Sequence, residues 1–395
     1  MRVILFTGKG GVGKTSIAAA TACGLAAKGK KVCIMSTDQA HSLGDALDCS
    51  LTGEITTVTE NLDALEVDTV KEGEEAWGRL HGYMKELLTT HANEGLETEE
   101  LLVFPGLEEL FSMFKILDIY QSKVYDALIV DCAPTGETLS LLKFPQQFAN
   151  VMETYLPIKR KAAKVMGPAV EKVMKVPMPK EGVFDDLEVL TGKLGQLQEL
   201  MSNQKEVSLR IVTTPEKIVI REAKHNFTCL QLFGYHVDAV MVNRIYPKQA
   251  LEGYFHKWED LQEKNLEEIK ESFGQIPVYT LELLCRELRG VEMLTETAKK
   301  LYGDKDPLSV LAPASFMTLV RSEDGEYVLR LKLTFAEKEN LELEQRGDEL
   351  MIAVKNERRR LTLPDVLKGR EVAGAKFEEG ELTVVFNSER TFYWK

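Results

Sequence analysis

The chain has 395 residues, a formal net charge of −13 and 44% hydrophobic residues, which suits two or three globular domains and disfavours general binding to nucleic acid or anionic lipid. No apolar run approaches the roughly 20 residues that a membrane span needs, so an integral membrane protein is not expected. Met1-Arg2 leads straight into an apolar strand with no signal-peptide pattern, and the six cysteines (Cys23, Cys33, Cys49, Cys132, Cys229 and Cys285) form no C-x-x-C pair. Reduced thiols in a cytoplasm are expected, and no zinc.

Buried strands are predicted at Val3–Thr7, Val32–Thr37, Ala64–Asp68, Ala127–Asp131, Leu209–Thr213, Val237–Val242 and Ile276–Tyr279, with helical patterns between them. That alternation predicts an α/β fold: a mostly parallel sheet flanked by helices. Two intervals, about 70–125 and 136–205, are too long for simple crossovers. Both are helix-rich, which suggests a helical subdomain inserted on the carboxyl side of the strands. The character changes near 303–315, where Gly303-Asp304-Lys305-Asp306-Pro307 and Ala312-Pro313-Ala314 read as a linker. Short strands follow at Tyr327–Thr334, Asn340–Gln345, Leu350–Lys355, Arg359–Leu363 and Leu382–Asn387. Leu329, Leu331 and Leu333 alternate with polar residues, as half-buried antiparallel strands do. The expected division is therefore 1–305, a linker at 306–317, and an antiparallel β-sandwich at 318–395.

Residues 8–15, Gly-Lys-Gly-Gly-Val-Gly-Lys-Thr, fit the phosphate-binding pattern G-x-x-x-x-G-K-[ST] between a buried strand and an Ala-rich helix. Gly8, Gly10, Gly11 and Gly13 let the backbone approach phosphate without Cβ clashes. The successive N–H groups of the loop through Val12 to Ser16, with the helix dipole, favour an anion. Lys14 is placed for β/γ-phosphates and the Thr15 hydroxyl for Mg²⁺, which makes ATP and Mg²⁺ the expected cofactors. Lys9 is a second lysine in the loop, either solvated or free to serve elsewhere.

Three strand ends extend the pattern. Asp38 follows the second strand at the end where open parallel sheets bind ligands. It either orients the water that attacks the γ-phosphate or caps the next turn. Asp131 ends Ala127-Leu128-Ile129-Val130, in the form of a strand-end carboxylate that holds Mg²⁺ or of a structural aspartate. Asn243 and Arg244 end the strand Val240-Met241-Val242, where an amide can pair with an adenine edge and a guanidinium can stack on the ring; turn chemistry explains the asparagine as well.

G-K-G-G-V-G-K-T, S-T-D-Q-A-H-S, D-C-A-P-T-G-E-T-L, the V-N-R strand end and the Gln275–Gly290 stretch ending in E-L-R-G together resemble the arsenite-pump ATPase family. That family includes the cytosolic ATPases that target tail-anchored membrane proteins. The resemblance covers about residues 1–305. It implies a Mg·ATP-driven homodimer, Asp38 as the catalytic residue of switch I, and Asp131 with the following loop as switch II. Lys9 would cross the dimer interface to the partner's nucleotide, and adenine would sit near Asn243. Gln39 stands where the family commonly has proline, Cys132 where it has threonine and Glu137 where it has histidine. The targeting members' zinc C-x-x-C has no counterpart, since Lys248–Phe273 holds no cysteine. Residues 318–395, with Arg359-Arg360-Leu361-Thr362-Leu363-Pro364 and Gly380-Glu381-Leu382-Thr383-Val384, resemble the α-crystallin domain of small heat-shock proteins.

Phe148, Val151, Met152, Tyr155 and Leu156, then Ala162 to Met174, keep helical spacing beside a cluster of lysines. This is either an ordinary core face or, as the resemblance implies, an apolar groove for a client's transmembrane helix. The alternative function is the ATPase subunit of an arsenite efflux pump.

Overall fold

The computed structural model describes residues 1–38, 42–68, 107–133, 181–313, 317–322 and 325–387. Elements are numbered among these. The first half of the fold is an eight-stranded sheet of β1 (Arg2–Thr7), β2 (Val32–Ser36), β3 (Thr56–Thr59), β4 (Leu62–Glu66), β5 (Ala127–Asp131), β6 (Val207–Thr213), β7 (Val237–Ile245) and β8 (Val278–Glu282). Their order is β3-β4-β2-β5-β1-β6-β7-β8. All neighbours are parallel except β3, which pairs antiparallel with β4 at one edge.

Because strand side chains alternate, Val3 and Leu5 point to one face of the sheet while Ile4 and Phe6 point to the other. Both faces are buried, which is why the parallel strands are continuous apolar runs. On the Val3 face pack α3 (Leu107–Ser122), α4 (Glu181–Ser202), α5 (Lys217–Phe233) and α6 (Lys257–Ser272), through Phe114, Leu194, Ile220 and Ile269. On the Ile4 face pack α1 (Lys14–Ala27), α2 (Ser42–Leu47) and α7 (Val291–Tyr302), through Ile17, Leu43 and Leu294. Helices α3 and α4 fall within the two intervals expected to be helical; residues 70–106 and 136–180 of those intervals, with the proposed groove at 148–178, lie outside the described residues.

The second half is two antiparallel sheets. One has the order β14-β15-β10-β9, from β9 (Met317–Arg321), β10 (Tyr327–Lys332), β14 (Val372–Glu378) and β15 (Glu381–Phe386); the other is β11 (Leu341–Arg346), β12 (Glu349–Val354) and β13 (Glu357–Thr362). Leu329, Leu331, Ile352, Val354, Val384 and Phe386 close a shared core between them. Helix α5 seats this unit on the first: Leu232 and Phe233 enter the sandwich core, and Arg359 Nη1 donates to the Leu232 carbonyl at 2.6 Å.

Four differences from the sequence reading have local causes. β8 begins at Val278, two residues late, because Pro277 has no N–H to give a ladder and sits at the strand entry. β3 is a threonine run on a sheet edge with no apolar alternation to reveal it. β14 carries Gly374 at a register shift against β15, which hides its period. β9 is five residues long and begins at Met317, the last residue of the expected linker.

Candidate functional site

Two glycine positions shape the loop after β1. At Gly8 (φ +154°) a Cβ would sit 2.2 Å from the Val212 carbonyl oxygen of β6, and at Gly13 (φ +88°) it would sit 2.4 Å from Asn243 Nδ2 of β7. A side chain at either would push the loop off the sheet. Asn243 also braces the loop directly: its Nδ2 donates to the Val12 carbonyl at 2.9 Å, while its Oδ1 accepts from the Arg244 amide at 2.9 Å. The amide expected on adenine is thus engaged with the loop in this state. Arg244 holds φ +57° and is exposed along the cleft.

Lys14 opens α1 with 6% of its surface exposed, and its Nζ donates to the Lys9 carbonyl at 3.4 Å. Thr15 Oγ1 lies 3.2 Å from Ser42 Oγ at the start of α2. The ends of β2 and β5 are tied together: the Thr37 amide donates to the Asp131 carbonyl at 3.0 Å, and the Ala133 amide donates to Thr37 Oγ1 at 3.2 Å. Asp38, one residue on, has its amide bonded to Ser36 Oγ at 3.2 Å.

Asp131 is fully buried, and neither carboxylate oxygen has a hydrogen-bond partner. Burial above all, with the nearby Asp38 charge, raises its pKa to about 7, against the opposing pull of Thr15, Lys14 and Ser36. An orphaned buried carboxylate is costly, and a cation offsets that cost. The oxygen donors gathered here, Thr15, Ser42 and Asp131, suit a hard cation such as Mg²⁺, directly or through water.

The cleft above them has a volume of about 1000 Å³. Gly10, Gly11, Gly13, Lys14, Thr15, Ser16, Asp38, Asn243 and Arg244 line it. Gly8 and Val12 are buried in the underside of the loop. Lys9 lies outside the lining, with its Nζ 3.2 Å from Glu222 Oε2 on α5. The far wall, residues 282–289 with Tyr246, was not assigned from sequence. It is tied to α2 by Arg289 Nε and Nη2 on Asp48 Oδ1 (3.0 and 2.6 Å) and by the Gly290 amide on the Ala46 carbonyl (2.9 Å). A signal existed: this segment leaves the carboxyl end of β8, beside β7, where such sheets bind ligands. Gln39 to His41 and Pro134 to Glu137, the middles of the two expected switches, lie outside the described residues.

A strand, a glycine loop, a helix N-terminus and two strand-end carboxylates define a P-loop nucleotide hydrolase. Residues 1–303 match the Anion-transporting ATPase family, and residues 324–386 match the HSP20-like domain found in ArsA. The chain belongs to this family and is an ATPase. A Chlorobaculum tepidum protein named as an arsenical pump-driving ATPase is 34% identical over 393 residues, covering 99% of this chain and 97% of its own length. An Aquifex aeolicus protein of the same name is 34% identical over 394 residues, 97% of this chain and 99% of its own length. The ATPase get3 of Pyrenophora tritici-repentis is 28% identical over 323 residues, 76% of this chain and 91% of its own length.

Proposed function

We propose that the chain is a Mg²⁺-dependent, cytoplasmic ATPase that works as an ATP-dependent homodimer and binds hydrophobic client segments for membrane targeting or chaperoning. The observation that carries the reading is Asp131, a buried carboxylate with no partner of its own, set among the Lys14, Thr15 and Asp38 side chains. Lys14 and the loop N–H groups hold the β- and γ-phosphates. Thr15 and Asp131 would hold Mg²⁺, which would supply positive charge against the phosphoryl oxygens. Asp38 orients the attacking water toward the γ-phosphate. Arg244 stacks on the base, and Asn243 turns its second N–H to the adenine edge while the first braces the loop.

Two features support the dimer. Lys9 is outside its own cleft, and Lys14 already serves the phosphates within it, which leaves Lys9 for a partner's nucleotide. Beside the cleft, Tyr246 packs on Trp258 and the ridge continues into Tyr254, 90% exposed, Phe255 and Leu261, an apolar surface of the kind that marks association. Client binding rests on the motif resemblance to the targeting branch of the family. The test is binding of a synthetic single-span apolar helix to the full chain. Binding with Mg²⁺ and a non-hydrolysable ATP analogue, in a complex with the mass of a dimer, and release with ADP support the proposal. No binding in either state removes the client role.

The names of the full-length relatives favour a second reading, arsenite efflux. Against it, burial pushes the Cys23 and Cys33 thiols up to about 12, which leaves exposed Cys285 on the cleft wall without those two as partners, and the described residues hold no cluster of three or more His, Cys, Asp or Glu. Turnover stimulated several-fold by arsenite would restore this reading.

A further inference from the structure

Lys9 carries two ties. Its ammonium pairs with Glu222 at 3.2 Å, and its carbonyl oxygen accepts Lys14 Nζ at 3.4 Å. Glu222 stands on α5, which is fixed along its length. Lys224 pairs with Glu268 of α6 at 2.6 Å, and Asn265 Nδ2 of α6 donates to the Pro215 carbonyl, just before α5, at 2.8 Å. At the far end the sandwich holds the helix through Arg359. The carboxylate therefore comes from a fixed helix, and the lysine from a loop with glycine on either side.

We propose that Glu222 is a positioning residue: it holds Lys9 against α5 in the resting protomer and competes for it with the partner's phosphates. The proposal rests on the trans role of Lys9 given above. Nucleotide draws Lys14 Nζ toward the phosphates and away from the Lys9 carbonyl. The Glu222 pair is then the remaining tie. Both side chains are more than a third exposed (39% and 34%), so the pair is weak and salt-screened. It biases Lys9 without trapping it, and a phosphate chain with several charges displaces it.

The experiment measures the dimer dissociation constant of the full chain by light scattering across protein concentration, with Mg²⁺ and a non-hydrolysable ATP analogue. Wild type, Glu222→Gln, Lys9→Ala and the double variant are compared. Glu222→Gln is expected to tighten the dimer about two- to five-fold, the range of an exposed ion pair. The gain should shrink as salt rises and vanish in the Lys9→Ala background. ATP affinity below the dimerisation range and the melting temperature should match wild type. An unchanged or weakened dimer in Glu222→Gln overturns the proposal. So does an equal gain in the Lys9→Ala background, which would mean that losing one negative charge from a chain of net charge −13 eases association without Lys9. A Lys9→Ala chain that dimerises like wild type overturns the trans role itself, a separately visible result.

Discussion

Two charges are buried in the same sheet, and their surroundings differ. Arg210 on β6 has no exposed surface, yet it has a partner at each nitrogen: Nε on Asp238 Oδ1 (3.1 Å), Nη1 on the Tyr302 hydroxyl (3.1 Å) and Nη2 on the Pro307 carbonyl (2.7 Å). Asp131 on β5 is as deeply buried, and the Thr15 and Ser36 side chains near it pull on its charge without reaching hydrogen-bond geometry. A buried charge with a partner at every nitrogen is structural; here it anchors the chain between α7 and the sandwich to the sheet. A buried charge left incomplete beside a phosphate loop is poised for something that arrives later. The sandwich lies between the two: its core side chains are apolar, and Arg359 at its seam with α5 is partly satisfied, with Nη1 on the Leu232 carbonyl and Nε buried without a partner.

The largest expected effect lies at the incomplete end. On the proposed role of Lys14 against the terminal phosphates, Lys14→Ala should bring ATP hydrolysis to background; phosphate release at saturating ATP checks it. Asp38→Asn should keep ATP binding and slow hydrolysis by about 10²–10⁴-fold, the range for a positioned base. Calorimetric ATP binding and turnover on one sample measure both, and normal values for both would make Asp38 a cap. At the complete end the effect is on stability. Arg210→Ala leaves Asp238 buried without its main partner and should cost about 3–5 kcal/mol in denaturant unfolding. A cost under about 1 kcal/mol would mean that the network is dispensable and the comparison misplaced.

Much of this was legible in sequence for a physical reason. Parallel strands buried on both faces must be continuous apolar runs, so Val3–Phe6 and Ala127–Val130 announce both themselves and the residues at their ends. Gly13 is set by a turn at positive φ close against Asn243, and the Gly-Lys-Thr spacing before a helix is a local pattern that sequence shows directly. What stayed hidden depends on contacts between distant segments. That Asn243 braces Val12, that Arg210 reaches Pro307 and that Glu222 faces Lys9 are pairings across 231, 97 and 213 positions, with no local signal to mark them. Edge strands such as β3 escaped because an edge needs no apolar alternation.

The most direct test is the melting temperature of Asp131→Asn against wild type, without nucleotide or divalent metal, read at pH 5 and pH 8. The native carboxyl titrates near 7 against 3.8 for the ordinary group, so the folded state holds its proton more tightly. Its contribution to stability is full below about pH 4 and is lost as pH rises through about 7. Wild type therefore bears the cost of an unpartnered buried charge at pH 8, and the asparagine variant does not. The variant should melt roughly 3–10 °C higher at pH 8, a gain of a few kcal/mol, with a smaller gain at pH 5, while its ATP turnover falls to background. A variant that melts lower than wild type at pH 8, or that turns over ATP normally, would contradict the account, for Asp131 would then be a partnered structural charge like Arg210.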